Sequence, residues 1–173
     1  MYSCHYCIFL SFCCIMQKMI RDLTDNEIHA LLDQQSYGHL GCLSPKNTIY
    51  IVPVTYVYKE HALYVFSFEG TKIDYMRTNP SVCFQTEKHM NAESWQSAIV
   101  WGQFEELTGE ERTQAFDLLL ERLWSESNRD HPLYFPFRNS RETLEAAKHE
   151  ENVVLYRITI EKQTGRMEQY EGT

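Results

Sequence analysis

Hydrophobic positions change their period along this chain, and each change marks an element. In LTDNEIHALLDQQ, residues Ile28, Leu31 and Leu32 recur at helical spacing, Thr24 and Glu27 form a capping box, and Leu23 and Ile28 stand at the positions of a hydrophobic staple. The spacing predicts a helix from about Asp25 to Gln34. The period then shortens. YGHLGCLS, TIYIVPVTYVY and ALYVFSF are rich in β-branched and aromatic residues and are separated by PKN and KEH turn signals, which predicts three consecutive antiparallel strands in a meander. Pro53 lies inside the second of them and removes a ladder donor, so that strand is expected at an edge, bulged, or open to a ligand there.

Thr71 to Thr78 places Ile73 and Met76 three apart and stops at Asn79-Pro80, a short helix. SVCFQTE and SAIVWGQFEEL read as two further strands joined by KHMNAESWQ. Thr108 and Glu111 make a second capping box before a long helix striped by Ala115, Phe116, Leu119, Leu120 and Leu123. SNRDHPLYFPFRN is an irregular aromatic loop, Ser140 to His149 a short helix, and NVVLYRITIE a last strand. Strands outnumber helices and pair locally. The expected fold is therefore mainly β with peripheral helices, a small antiparallel barrel, with an N-terminal extension at 1–20, one domain at 21–165 and a polar tail at 166–173.

Composition narrows the partners. At 173 residues with 43% hydrophobic content the chain builds one core, and a formal charge of −8 with no basic cluster argues against a nucleic-acid partner. A single small anion is still within reach of local donors. Cys4, Cys7, Cys13 and Cys14 crowd the opening segment, and no disulfide framework follows from them. Cys4-His-Tyr-Cys7 has zinc-knuckle spacing but no second ligand pair at a suitable distance, so no metal site is expected. The apolar run Tyr6 to Met16 is too short for a bilayer and lacks the flanks of a signal peptide, so the protein reads as cytoplasmic with no membrane partner. Met16 or Met19 is an alternative natural start, which N-terminal sequencing of native protein would decide.

Catalytic signatures are sparse. The seven histidines include no HExxH pair, and no serine stands in a GxSxG elbow. His39, on a strand, is the histidine most open to a functional role, against the commoner reading of a hydrogen-bonded surface histidine. Carboxylate pairs such as Glu105-Glu106 and Glu110-Glu111 flank turns and helix starts, where solvation and the helix dipole explain them. Tyr50, Tyr56, Tyr58, Tyr64, Phe66 and Phe68 crowd two neighbouring strands; alternation sends half inward, and the other half points to a dimer surface or a planar ligand, as do Trp95 and Trp101. In FSFEGTK, residues Ser67, Thr71 and Lys72 bring hydroxyl and ammonium donors to a helix start, and Gly70 permits close approach. Such a joint suits a terminal phosphate, and it equally describes an ordinary cap beside a solvated lysine.

The order of motifs adds a resemblance. YGHLGCLSP, IVPVTYVY, LYVFSFEGTKIDYMRTNPSVCFQT and SAIVWGQFEEL together resemble the FMN-binding split-barrel proteins related to pyridoxamine 5'-phosphate oxidase, in particular their nitroimidazole-resistance-like branch. The similarity runs from about Leu23 to Leu107, with YFPFR and the last strand matching more loosely. It implies an antiparallel split β-barrel of Greek-key type, FMN as cofactor and a homodimer. By the same resemblance, Pro53, Val54 and Thr55 lie beside the isoalloxazine, while Ser67, Gly70, Thr71 and Lys72 hold the phosphate. Ser97 becomes a polar flavin contact from the second subunit, and Asn79-Pro80 a structural feature.

The expected activity is an oxidoreductase passing reducing equivalents from a reduced cofactor to a small planar or nitroaromatic-like acceptor. A non-catalytic flavin or haem module on the same fold, with His39 as an axial ligand, is the alternative, and a barrel used only for dimer contacts is a third. Pyridoxamine phosphate oxidase activity itself is not expected. IYIVPVTY has no basic residue, Thr71 stands where the oxidases carry arginine, and LYRITIEKQTGRMEQYEGT lacks their tryptophan-arginine region.

Overall fold

The structure is a computed structural model that describes residues 18–91, 94–126, 150 and 152–170. The cysteine-rich opening segment, the SNRDHPLYFPFRN loop with its YFPFR motif, and the helix expected at Ser140 to His149 lie outside the described residues. Helix α1 spans Asp25–Gln34, the expected bounds. The Thr24 hydroxyl accepts from the Glu27 amide, and the Glu27 carboxylate accepts from the Thr24 amide and from Arg21. The Arg21 guanidinium, then the Thr24 amide, hold the Glu27 carboxyl at about 2, below its ordinary 4.5. This contribution to stability is complete above 4.5 and is lost as pH falls through about 2. Glu27→Gln is expected to flatten the acid limb of thermal stability, and an acid limb unchanged in the variant would remove this clamp as its cause.

Seven strands follow one another around a barrel: β1 (Lys18–Asp22), β2 (Tyr37–Leu43), β3 (Ile49–Lys59), β4 (Ala62–Phe68), β5 (Ser81–His89), β6 (Trp95–Glu106) and β7 (Val153–Tyr170). Their order is β1-β7-β4-β3-β2-β5-β6, all neighbours are antiparallel, and β6 also pairs with β7 to close the ring. The predicted meander is the run β2-β3-β4. Helix α2 (Thr71–Thr78) leaves β4, and α3 (Gly109–Glu126) follows β6. Inward positions of the strands, with Ile28, Leu31 and Leu32 of α1 and Ile73 and Met76 of α2, form the main core. Among the described residues, no helix is long and apolar enough to cross a membrane.

Three expectations need correction. The segment taken as a polar tail from residue 166 is strand as far as Tyr170, because β1 pairs with it from Lys18↔Tyr170 to Asp22↔Arg166. Its alternation buries Gly165 and Met167 and exposes Arg166, a period of two that the polar composition concealed. A Cβ at Gly165 would meet Ile28 and Leu23 side-chain carbons at 2.9 Å, so glycine lets the start of α1 pack directly on the strand. The second correction concerns the aromatic surplus. Tyr64 and Phe66 do face outward, but α3 covers them: Phe116 and Leu119 pack with Val57 and Leu155 in a second cluster that includes both rings. A helix with a wide apolar stripe needs such a sheet face. Glu111, expected to complete a capping box with Thr108, instead places its carboxylate on Arg157 at 3.3 Å, and Gly109 begins the helix at φ 56°.

One core group is unsatisfied. Tyr156 is fully buried inside the barrel against Phe104, and its hydroxyl has no hydrogen-bond partner among the described residues. A buried, unpaired hydroxyl costs roughly 1–3 kcal/mol. Tyr156→Phe is therefore expected to raise the unfolding free energy by about 1 kcal/mol in chemical denaturation. A loss of stability would mean that the hydroxyl is bonded after all, through a buried water.

Candidate functional site

The barrel is split at one place. Tyr56 to Lys59 of β3 pair with Val65 to Ala62 of β4, whereas Ile49 to Thr55 pair only with β2, and Phe66 to Phe68 pair only with β7. The two strands therefore part after Tyr56 and Val65. The Tyr56 amide donates to the Ser36 carbonyl at 2.9 Å, so even-numbered residues of this half-strand turn their backbone groups toward β2, while Ile51 and Pro53 turn theirs toward the opening. Pro53 thus gives up no ladder bond, and of the three readings the sequence left for it, the open edge is the one realised. Helix α2 lies beside the opening, with the Tyr75 ring edge-on to Tyr50 at 5.7 Å between centroids.

The start of α2 faces that opening without a cap of its own. Gly70 is the N-cap residue at φ 153°, a conformation side chains rarely adopt, and nothing lies within 4 Å of where its Cβ would be. No side chain caps the helix, and its first turn closes through Ile73 and Asp74 amides on the Gly70 carbonyl. The amides of Thr71 and Lys72 are left as donors with no acceptor among the described residues. Glu69, the nearest carboxylate in sequence, is held by both nitrogens of Arg77 at 2.8 Å, and Arg77 also grips Glu106. An anion at the helix start therefore meets a carboxylate already neutralised.

Lys72 is the telling residue. It is half-buried, and among the described residues its ammonium has no carboxylate in ion-pair range. Burial pushes its pKa down, and interaction with the nearby Cys42 thiol opposes this. The Cys42 thiol is itself pushed up by burial, with Lys72 pulling the other way. A cation desolvated without a counterion is a site built for an anion supplied from outside.

The structure brings most of the expected residues together around the split and separates others. Pro53 and Thr55 lie on the open half of β3, Gly70, Thr71 and Lys72 at the facing helix start. Val54 is buried and turned inward, part of the main core. Ser67 is also buried, and its hydroxyl donates to the Phe68 carbonyl at 2.9 Å. Ser97 lies on β6, across β2 and β5 from Pro53, where Gln85 donates to its hydroxyl at 3.2 Å. Sequence reasoning missed Cys42 as the neighbour of Lys72 and Gln85 as the support of Ser97. Strand alternation in SVCFQTE carried the second signal, since Cys83, Gln85 and Glu87 share a face.

That face is the barrel's outer surface over β3-β2-β5-β6. Direct cross-strand partners form the rows Ile51–Gly41–Cys83–Trp101 and Pro53–His39–Gln85–Ile99. Ile49 and Ile51 are 75% and 64% exposed on it, a large apolar presentation for a surface that α3 leaves uncovered.

A closed antiparallel barrel opened at one strand pair, with a helix start set against the open edge, matches a known sequence family. Residues 24–167 fit the sequence profile described as pyridoxamine 5'-phosphate oxidase. The chain belongs to that family. A curated relative, an uncharacterized protein of Rhizobium meliloti, is 33% identical over 105 residues, covering 58% of this chain and 69% of its own. Among solved structures, an FAD-binding protein of Mesorhizobium loti superposes with a TM-score of 0.65 at 29% identity, over 86% of this chain and 98% of the other. A putative 5-nitroimidazole antibiotic resistance protein of Bacteroides thetaiotaomicron superposes at 0.63 with 20% identity, over 89% and 90%, a likeness of fold. The split-barrel architecture expected of the chain is the one these solved structures share.

Proposed function

We propose that this protein binds FMN along the split, as a homodimer, and passes reducing equivalents from a reduced cofactor to a small planar or nitroaromatic-like acceptor. The observation that carries the reading is Lys72, a half-buried ammonium without a carboxylate partner among the described residues, beside an uncapped helix start. One helix start and one ammonium suit one phosphate, which favours FMN. The likeness to an FAD-binding protein supports a flavin in general.

The residues present fit such a group. Lys72 and the Thr71 and Lys72 amides would hold the phosphate, and the outward backbone of Ile51 and Pro53 would meet the edge of the ring. When bound, the flavin supplies the redox chemistry, which is why the chain needs no catalytic triad. The chain's own tasks are to fix the ring, to neutralise the phosphate and to leave one ring face open to the acceptor. Family membership does not bring oxidase activity with it, because β3 has no basic residue along IYIVPVTY and Thr71 stands beside the phosphate lysine.

A second copy completes the site in this reading. Ser97 is too far across the sheet to reach a ring at Pro53 in its own protomer: three strand spacings separate them, about 14 Å. A two-fold axis through β2 and β5 of the outer face would set Ser97 of one copy against Pro53 of the other and cover Ile49 and Ile51. The rival reading is a flavin store or haem module without turnover, for which His39, exposed beside Pro53, would be the axial ligand. The visible spectrum of purified protein given FMN or haemin, followed by assay of reduced nicotinamides against nitroaromatic and quinone acceptors, tests both. Flavin absorption with turnover supports the proposal; a haem band, or bound flavin that no donor reduces, defeats it.

A further inference from the structure

The outer face beside Pro53 carries a titratable side chain that neither the core nor the phosphate cradle uses. His39 is exposed on β2, directly opposite Pro53 on one side and Gln85 on the other. Side chains so opposed stand about 4.5–5.5 Å apart at Cβ. The Gln85 amide is turned away from the imidazole, donating to Glu87 at 3.0 Å and to Ser97 at 3.2 Å. Tyr37 meets the imidazole edge-on, with 5.5 Å between ring centroids. The other charged or titratable groups on this face are Cys83, Glu87 and His89 of β5 and Lys162, Arg166 and Glu168 of β7. Lys162 lies over the Trp101 ring at 5.3 Å, and Glu168 pairs with Lys18 at 2.9 Å. Glu87 is engaged by Gln85 and lies 3.4 Å from His89, while Arg166 approaches Asp22 at 3.8 Å. Both ring nitrogens of His39 are thus without a hydrogen-bond partner among the described residues, one strand in from the open edge.

We propose that His39 is the acid that protonates the acceptor, an inference that rests on the flavin reading above. The acceptor, a nitro or carbonyl compound lying over the ring, takes two electrons and one hydrogen from the reduced cofactor at one atom, and its π bond breaks. Negative charge gathers on the oxygen. The His39 imidazolium N–H bond breaks as an O–H bond forms there, and the neutral imidazole regains its proton from water that enters as the product leaves. In balance, the acceptor would gain two electrons and two hydrogens, the electrons and one hydrogen supplied by a reduced flavin and the second hydrogen, as a proton, by His39. An imidazole is the side chain whose ordinary titration falls between pH 5 and 8, the range in which such a donor is both charged and willing to release its proton.

The test is His39→Gln in the FMN-loaded protein, with nitrobenzene as acceptor. FMN affinity is expected to stay within about threefold, since no cradle contact is touched, while the rate of oxidation of the pre-reduced protein falls by about a hundredfold. The wild-type rate should fall with rising pH, and the variant should lose that pH dependence. A readout independent of turnover is the absorption of bound FMN against pH, which should inflect in the wild type and not in the variant. Added imidazole should restore rate to His39→Ala. A variant that keeps FMN, rate and pH profile overturns the proposal. Loss of FMN in the variant makes His39 a cofactor ligand, which overturns the acid role and leaves the flavin reading intact. A haem band abolished by the substitution makes it an axial ligand and overturns both. Failure of the wild type to bind FMN removes the flavin reading and the proposal with it.

Discussion

Lys72→Ala is expected to weaken FMN binding at least tenfold while leaving the melting temperature of the FMN-free protein unchanged or higher. A charge-assisted contact to phosphate contributes roughly 1.5–3 kcal/mol, which is about tenfold to a hundredfold in affinity. The free protein loses nothing comparable. Its ammonium is half-buried, its pKa is pushed down by burial, and among the described residues no carboxylate answers it. Removing it relieves a desolvated charge. Lys72→Met keeps the aliphatic stem and should show the same loss of affinity, which separates charge from packing. Thr71→Arg is the complementary change, a second cation beside the same helix start, and should tighten FMN. Fluorescence titration of FMN reads all three. Unchanged affinity in Lys72→Ala would return EGTK to an ordinary helix start beside a solvated lysine.

What could be read from the sequence follows how local the determinants are. Thr24 and Glu27 fix the start of α1 through contacts three residues apart, and α2 runs over the expected Thr71–Thr78 because Gly70 opens it and Asn79-Pro80 ends it. The meander was equally legible, since its turns join neighbouring strands. The extent of β7 was not. Its last residues are strand because β1, almost the whole chain away, pairs with them. The fate of Tyr64 and Phe66 was hidden for a related reason: alternation told which way they point, and only the packing of α3 told what covers them. At the site, donor types and the helix start were visible in EGTK. That Lys72 is half-buried next to Cys42, and that Pro53 opens outward because β3 and β4 part after Tyr56, depends on strand register.

Ile51→Glu is expected to turn a dimer into a monomer that has lost FMN yet keeps its fold. Ile51 is 64% exposed at the open edge of the outer face, so the free protomer places a carboxylate there in water at little cost. In an interface formed by that face, each copy would instead bury an unpaired carboxylate, and truncated or unpaired charges at such positions cost about 2–5 kcal/mol each. Two per dimer move the dissociation constant by on the order of a thousandfold or more. Because an isologous interface sets one end of the face against the other, Ile99→Glu at the far side should have the same effect. Light scattering across a dilution series gives the mass, circular dichroism the fold, and the flavin spectrum the occupancy. Monomers that still bind FMN would place the whole cofactor site within one protomer and strip Ser97 of its role. Dimers that persist in both variants would move the interface to another face, and the exposure of Ile49 and Ile51 would then need a different partner.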